Sequence, residues 1–116
     1  NVNGDGTSAI WNDTGANPSL EHVQDVKSND ANPYGLYNLA GNVWEWVEDD
    51  YDTDFYVSSA DSTDPVNSTD SGVRVRRGGS WNYHEATLKS ASRFSDEEFK
   101  GNDHFGFRVV WRASLP

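Results

Sequence analysis

The chain predicts an irregular α+β domain with a small antiparallel sheet, many loops and little helix. Three observations carry this reading. Phe105, Phe107, Val109 and Trp111 alternate with Arg108, Val110 and Arg112, the pattern of a period-two strand with one buried aromatic face. A second alternating stretch, 73–82, runs into Gly78-Gly79, which marks a strand ending where another backbone comes close. Helix signals are sparse. Only 38–46 and 96–100 hint at one, and neither joins good caps to a helical period.

The remaining elements follow in order. Residues 1–19 are a turn-rich lead-in dominated by Asn, Gly, Asp, Ser and Pro. Residues 20–27 suit a short strand carrying Val23 and Val26, and 29–33 a loop. Residues 34–47 are the densest apolar and aromatic stretch and are expected to form the core. Residues 48–72, acidic and rich in Ser, Thr and Asp, read as one long surface loop. Residues 84–92 suit a turn or short strand, and 95–104 a charged loop. No repeat or low-complexity tract interrupts the chain, and 116 residues suit a single domain over 1–116.

Composition narrows the function. Hydrophobic residues make up 34% and aromatic residues 13%, so Trp and Tyr must supply much of the core. No stretch approaches the roughly 18 apolar residues of a spanning helix, so no membrane span is expected. Zero cysteines exclude disulfides, thiolate metal sites and cysteine nucleophiles. The net charge of −10 is uneven: residues 1–73 carry fourteen acids and one base, residues 74–116 eight bases and five acids. Such an acidic half repels nucleic acid and anionic membranes. It attracts cations, and its hard oxygens suit calcium. A plain solubilising surface is the alternative. The chain starts at Asn1 rather than Met and is expected to be a processed or trimmed product. An extracellular or periplasmic location is favoured over the cytoplasm.

The segment 38–45 is the most informative about chemistry. Asn38 and Glu45 sit among Leu36, Leu39, Val43, Trp44 and Trp46, and buried polar groups need partners. Gly41 and Asn42 tolerate positive φ, so the chain can turn there and aim carbonyls inward. Two side chains and two carbonyls then make an oxygen cage suited to calcium. The alternative pairs Glu45 with a basic residue such as Arg108 or Arg93, with Asn38 capping a turn. Near the start, Asn1-Val2-Asn3-Gly4-Asp5-Gly6-Thr7 copies the opening of an EF-hand loop, although Asn12 stands where that motif wants Glu. A Ser80, His84 and Asp103 triad is possible only on paper, because no base is correctly spaced for Ser80. His22, His84 and His104 are the only imidazoles for a transition metal, and His22 and His104 are expected at the surface.

Three segments, Asn32-Pro33-Tyr34-Gly35-Leu36-Tyr37-Asn38-Leu39-Ala40-Gly41-Asn42-Val43-Trp44-Glu45-Trp46, Arg77-Gly78-Gly79-Ser80-Trp81 and Gly106-Phe107-Arg108-Val109, occur in that order. Together, over roughly 20–112, they resemble the formylglycine-generating enzyme, or sulfatase-modifying factor, family. The resemblance implies a C-type-lectin-like fold and a structural calcium on Asn38, the carbonyls of Gly41 and Val43, and Glu45. It implies a second calcium on Asn1, Val2, Asp13 and Gly15, with a departure in spacing. The family's enzymes bind copper through two cysteines. Those positions fall at Tyr83 and near Leu88, and a phenol and an isobutyl group cannot form such a site.

The resemblance therefore implies a bacterial, non-catalytic, calcium-stabilised binding or assembly module. Trp81, Asn82, Tyr83, His84 and Glu85 are its candidate ligand-binding residues. The expected partner is a protein or other macromolecule, not nucleic acid. Full family domains are about twice this length, so a second chain or segment completing the fold is a further candidate, since a bare strand edge invites pairing. The alternative is a divergent oxidoreductase, formylglycine-generating or iron-dependent and sulfoxide-forming, whose reactive groups lie on another segment. Sugar binding through calcium is a third, weaker option.

Overall fold

A computed structural model describes residues 22–111. Its sheet has four strands: β1 (Trp44–Asp50), β2 (Val73–Arg77), β3 (Phe94–Glu97) and β4 (Phe105–Gly106), in the order β3-β2-β1-β4. A four-residue helix α1 (Phe55–Ser58) follows β1, and a 3-10 helix (Glu85–Leu88) follows β2. No helix among the described residues is long and apolar enough to cross a membrane.

The sheet is mixed rather than purely antiparallel. β1 runs antiparallel to β2, with Glu45 opposite Arg77, Trp46 opposite Arg76 and Asp50 opposite Arg74 across an irregularity. β2 runs antiparallel to β3, with Arg76 opposite Phe94 and Arg74 opposite Asp96. β4 is parallel to β1, pairing Trp44 with Phe105 and Glu45 with Gly106. Residues 98–104 carry the chain from one sheet edge to the other, and a chain that crosses a sheet re-enters in parallel. A Cβ on Gly106 would lie 2.7 Å from Val43 Cγ2, so β4 can sit this close to β1 only without a side chain there.

Several expectations change. The stretch 48–72 is not one loop: β1 extends to Asp50 and α1 interrupts the remainder. The charged stretch 95–104 contributes β3, because pairing with β2 outweighs its poor strand propensity. The helical hint at 38–46 is a turn followed by β1. Residues 22–27 form no strand, and Val26 is exposed. Among the described residues the alternating stretch at 105–112 pairs only over Phe105–Gly106. Its aromatic face is not buried: Phe107, Val109 and Trp111 are 75%, 87% and 86% exposed. Alternation recorded the geometry of the strand, but no layer among the described residues covers it.

Asp50 ends β1 and is 2% exposed. Its Oδ2 accepts from the Thr69 hydroxyl at 3.3 Å and from the backbone N–H groups of Asp70 and Ser71. Arg74 Nη1 lies 3.4 Å from Oδ1. Asp50 N–H donates to the Asn67 carbonyl at 2.8 Å, and Asn67 Nδ2 donates to the Asp50 carbonyl at 2.9 Å. This one carboxylate folds the end of the acidic stretch back onto the sheet. In Asp50→Ala the N–H groups of 70 and 71 lose their acceptor and Arg74 one of its two carboxylate partners, Glu98 remaining at 3.4 Å. That variant should lose about 3 kcal/mol in denaturant titration, and proteases should cut within 60–71 far sooner than in the parent chain.

Candidate functional site

The turn 38–43 is built from backbone conformations that favour Asn and Gly. Asn38, Gly41 and Asn42 have φ of 50°, 81° and 67°. Gly41 N–H donates to the Gly78 carbonyl at 2.7 Å, and Trp81 N–H to the Asn42 carbonyl at 3.0 Å. The first two motif segments thus meet through their backbones. Asn42 is buried and does what sequence reasoning missed: its amide accepts from Gln24 N–H at 2.9 Å and donates to Gln24 O at 3.2 Å. A side-chain amide imitates a peptide group here. An Asn in an apolar run was the only signal for it.

The third motif enters through Arg108. Its Nε donates to Glu45 Oε2 at 2.6 Å, and its Nη2 to Glu45 Oε1. The same Nη2 reaches the carbonyls of Tyr37 at 3.2 Å and Asn38 at 3.5 Å. Glu45 therefore pairs with Arg108, the alternative partner named from sequence, while Arg93 lies elsewhere. The hydrogen bond that Arg108 donates to Glu45 holds its pKa above the ordinary value, against partial burial. Beside this pair is a groove of about 310 Å³, lined by Asn38, Glu45, Arg108 and the apolar Val26, Leu36 and Phe107. Among the described residues Asn38 Oδ1 is buried with no hydrogen-bond partner, and its Nδ2 reaches Asp25 O at 3.5 Å. The structure thus brings Asn38 and Glu45 to one groove, with a spare oxygen on Asn38 and both Glu45 oxygens on a guanidinium. Gly41 and Val43 carbonyls accept none of the backbone hydrogen bonds that pin the turn. Asn1, Val2, Asp13 and Gly15 lie outside the described residues.

The Gly-Gly-Ser segment is a packing joint. Gly79 has φ of 71°, and a Cβ there would sit 2.5 Å from Leu88 Cδ2 and 2.8 Å from Thr87 Oγ1. Leu88 is buried. Tyr83 is half-buried, with its ring edge-on to Trp44 at 5.3 Å. Ser80 is fully buried and donates to Asn82 Oδ1 at 2.8 Å. His84 Nδ1 caps the 3-10 helix by accepting Ala86 N–H at 3.1 Å, and Asp103 pairs with His104 at 2.9 Å. Ser80, His84 and Asp103 therefore form no triad.

His104 corrects another expectation. It is 7% exposed, wedged against Phe105 and Tyr83. Its charged neighbours in sequence hid its place at the β1–β4 junction, where its carbonyl accepts Trp44 N–H at 2.8 Å. His22 is exposed as expected. Among the described residues no three His, Cys, Asp or Glu gather where they could hold a metal ion, so the three imidazoles do not converge. Of the ligand-binding candidates, Asn82, His84 and Glu85 are exposed, and Trp81 and Tyr83 are half-buried beneath them.

Comparison with known proteins places this geometry. Residues 3–113 match the family described as sulfatase-modifying factor enzyme 1-like domain. The serine/threonine-protein kinase pkn1 of Chlamydia caviae is 44% identical over 86 residues, covering 73% of this chain and 14% of that protein. The formylglycine-generating enzyme of Streptomyces coelicolor is 37% identical over 93 residues, covering 78% of this chain and 29% of the enzyme. PvdO from Pseudomonas aeruginosa superposes with a TM-score of 0.71 at 26% identity, over 84% of this chain and 37% of PvdO. The chain therefore spans less than a third of the kinase and of the formylglycine-generating enzyme.

The Glu45–Arg108 pair joins residues 63 apart in sequence, so its energy should appear as coupling. Glu45→Gln and Arg108→Gln should each lower stability, with the double variant losing less than their sum by about 1–2 kcal/mol. Additive losses in denaturant titrations would show that the pair contributes no specific coupling.

Proposed function

This chain belongs to the sulfatase-modifying factor enzyme 1-like family, and from that premise we propose that it is a non-catalytic binding or assembly module stabilised by calcium. One observation carries the non-catalytic reading. The resemblance puts the reactive thiols at Tyr83 and near Leu88, and both of these residues pack against the core. A buried isobutyl group and a phenol whose ring is held against Trp44 cannot supply the two thiolates that such a copper site requires.

Calcium is supported by the donor set. Asn38 Oδ1 is buried without a partner among the described residues, and Asn38 lines the same groove as Glu45. A carbonyl-type oxygen, backbone carbonyls and a carboxylate are the ligands that calcium prefers. Bound there, the ion would supply charge and rigidity to the turn 38–45. Arg108 would remain on Glu45, since a carboxylate has lone pairs enough for both. The proposed ligand surface is Trp81, Asn82, Tyr83, His84 and Glu85, with a protein or other macromolecule as partner. Its half-buried aromatic rings provide contact area that is already ordered. A second chain or segment laid on the uncovered face of 107–111 fits the same assembly role.

A second reading is favoured by the 37% identity to a formylglycine-generating enzyme. The chain would then be part of a divergent oxidoreductase with its reactive groups outside this stretch.

A thermal melt separates the two. The chelator-stripped chain should gain melting temperature from micromolar calcium and not from copper(I) or iron(II). Asn38→Ala should lose the gain. Stabilisation by copper or iron instead favours the oxidoreductase. No response to any of the three ions removes calcium and leaves Glu45 satisfied by Arg108 alone.

A further inference from the structure

On the other side of β1 from the Trp44 packing, a cavity of about 170 Å³ lies between the end of β1, α1 and β2. Two guanidinium groups, Arg77 and Arg93, line it. Arg77 donates to the carbonyls of Ser90 at 3.0 Å and Ser92 at 3.2 Å, and to the Tyr56 hydroxyl. Arg93 donates to the carbonyls of Asp52 at 2.5 Å and Thr53 at 3.0 Å. Its guanidinium lies 4.6 Å from the Tyr56 ring and 4.9 Å from the Tyr51 ring. Both groups therefore converge on Tyr56. Every acceptor they use is neutral. Among the described residues neither enters an ion pair, whereas Arg74, Arg76 and Arg108 each do. A guanidinium has five N–H donors, so both keep donors after these bonds. The neutral contacts orient the two forks without neutralising them.

Charge then selects the ligand. Asp49 and Asp50 line the same cavity. Asp50 is already compensated, by three donors on Oδ2 and by Arg74 at 3.4 Å. Among the described residues Asp49 enters no ion pair, and its Oδ1 accepts Asn67 N–H at 3.0 Å, a neutral partner that leaves the carboxylate uncompensated. Two guanidinium groups against one uncompensated carboxylate leave a single positive charge. A monoanion balances it, whereas a dianion such as sulfate would leave excess negative charge beside Asp49. Phe55, Pro65 and Val75 complete the lining with apolar surface. A body of a few carbons fits the volume.

We propose that this cavity binds a small carboxylate, gripped by the Arg77 and Arg93 forks with its apolar end toward Phe55, Pro65 and Val75. Arginine suits the task because its planar fork matches a carboxylate in two bonds. The site is distinct from the groove at Glu45 and from the surface at Trp81–Glu85, and it stands whether or not those act as proposed.

The test is a titration of the isotope-labelled chain with sodium propionate at constant ionic strength, following the Nε–H resonances of the arginines by NMR. Sodium chloride and sodium sulfate form the other arms. Propionate should shift the Arg77 and Arg93 signals to saturation and leave those of Arg74 and Arg108 in place, with sulfate weaker. Arg77→Lys keeps the charge and removes the fork, so it should bind propionate about tenfold more weakly while the amide spectrum of the sheet is retained. The parent-chain titration needs no variant and decides the matter alone. Propionate shifts no larger than those from chloride would overturn the proposal. Sulfate binding as tightly as propionate would overturn the choice of a monoanion.

Discussion

Scarcity of apolar core is the constraint from which the rest of this structure follows. Among the described residues only Ala40, Trp44, Val75 and Leu88 are buried hydrophobic groups, against seven buried polar or charged residues. Area burial alone cannot hold such a sheet together. Directional contacts must do so, and they are placed at the two ends of β1. At one end Trp44 is fully enclosed by rings, with Phe94 at 5.0 Å and Tyr83 at 5.3 Å. At the other, Asp50 gathers backbone N–H groups from a stretch some twenty residues away.

The arginines connect these ends. Arg76 is almost wholly buried, with its guanidinium 4.9 Å from the Trp44 ring and 4.5 Å from the Phe105 ring, and Asp96 at 3.0 Å. It adds apolar contact along its stem, stacking on its faces and one charge contact at its tip. Arg74, Arg93 and Arg108 bind side chains or carbonyls of the acid-rich first part of the chain. The uneven charge seen along the sequence is thus matched across the fold. The basic second part supplies cations to strands and turns of the first.

Legibility tracked this division. The three motif segments and the strand leading to Gly78-Gly79 could be read directly, because glycine and aromatic placement are local signals. The stretch 34–47, expected to form the core, does so only in its second half: Ala40 and Trp44 are buried, and Tyr34, Leu36 and Leu39 are exposed. The Arg108 partner of Glu45 could be named as an alternative, since a half-buried carboxylate needs a cation. β3 could not be read, because Ser95, Asp96 and Glu97 carry no strand signature and owe their conformation to the β2 edge. Nor could the burial of His104, the amide mimicry of Asn42 or the convergence of Arg77 and Arg93 on Tyr56. Each depends on contacts between distant segments that no periodicity encodes.

The uncovered stripe of Phe107, Val109 and Trp111 has a consequence for handling this chain. An extended, alternating apolar segment is a template for edge-to-edge association. What opposes it is long-range repulsion between molecules of net charge −10. That repulsion is colloidal, not structural, and salt removes it: the screening length falls from about 10 Å at 0.1 M to about 3 Å at 1 M. Association through this stripe is therefore governed by ionic strength.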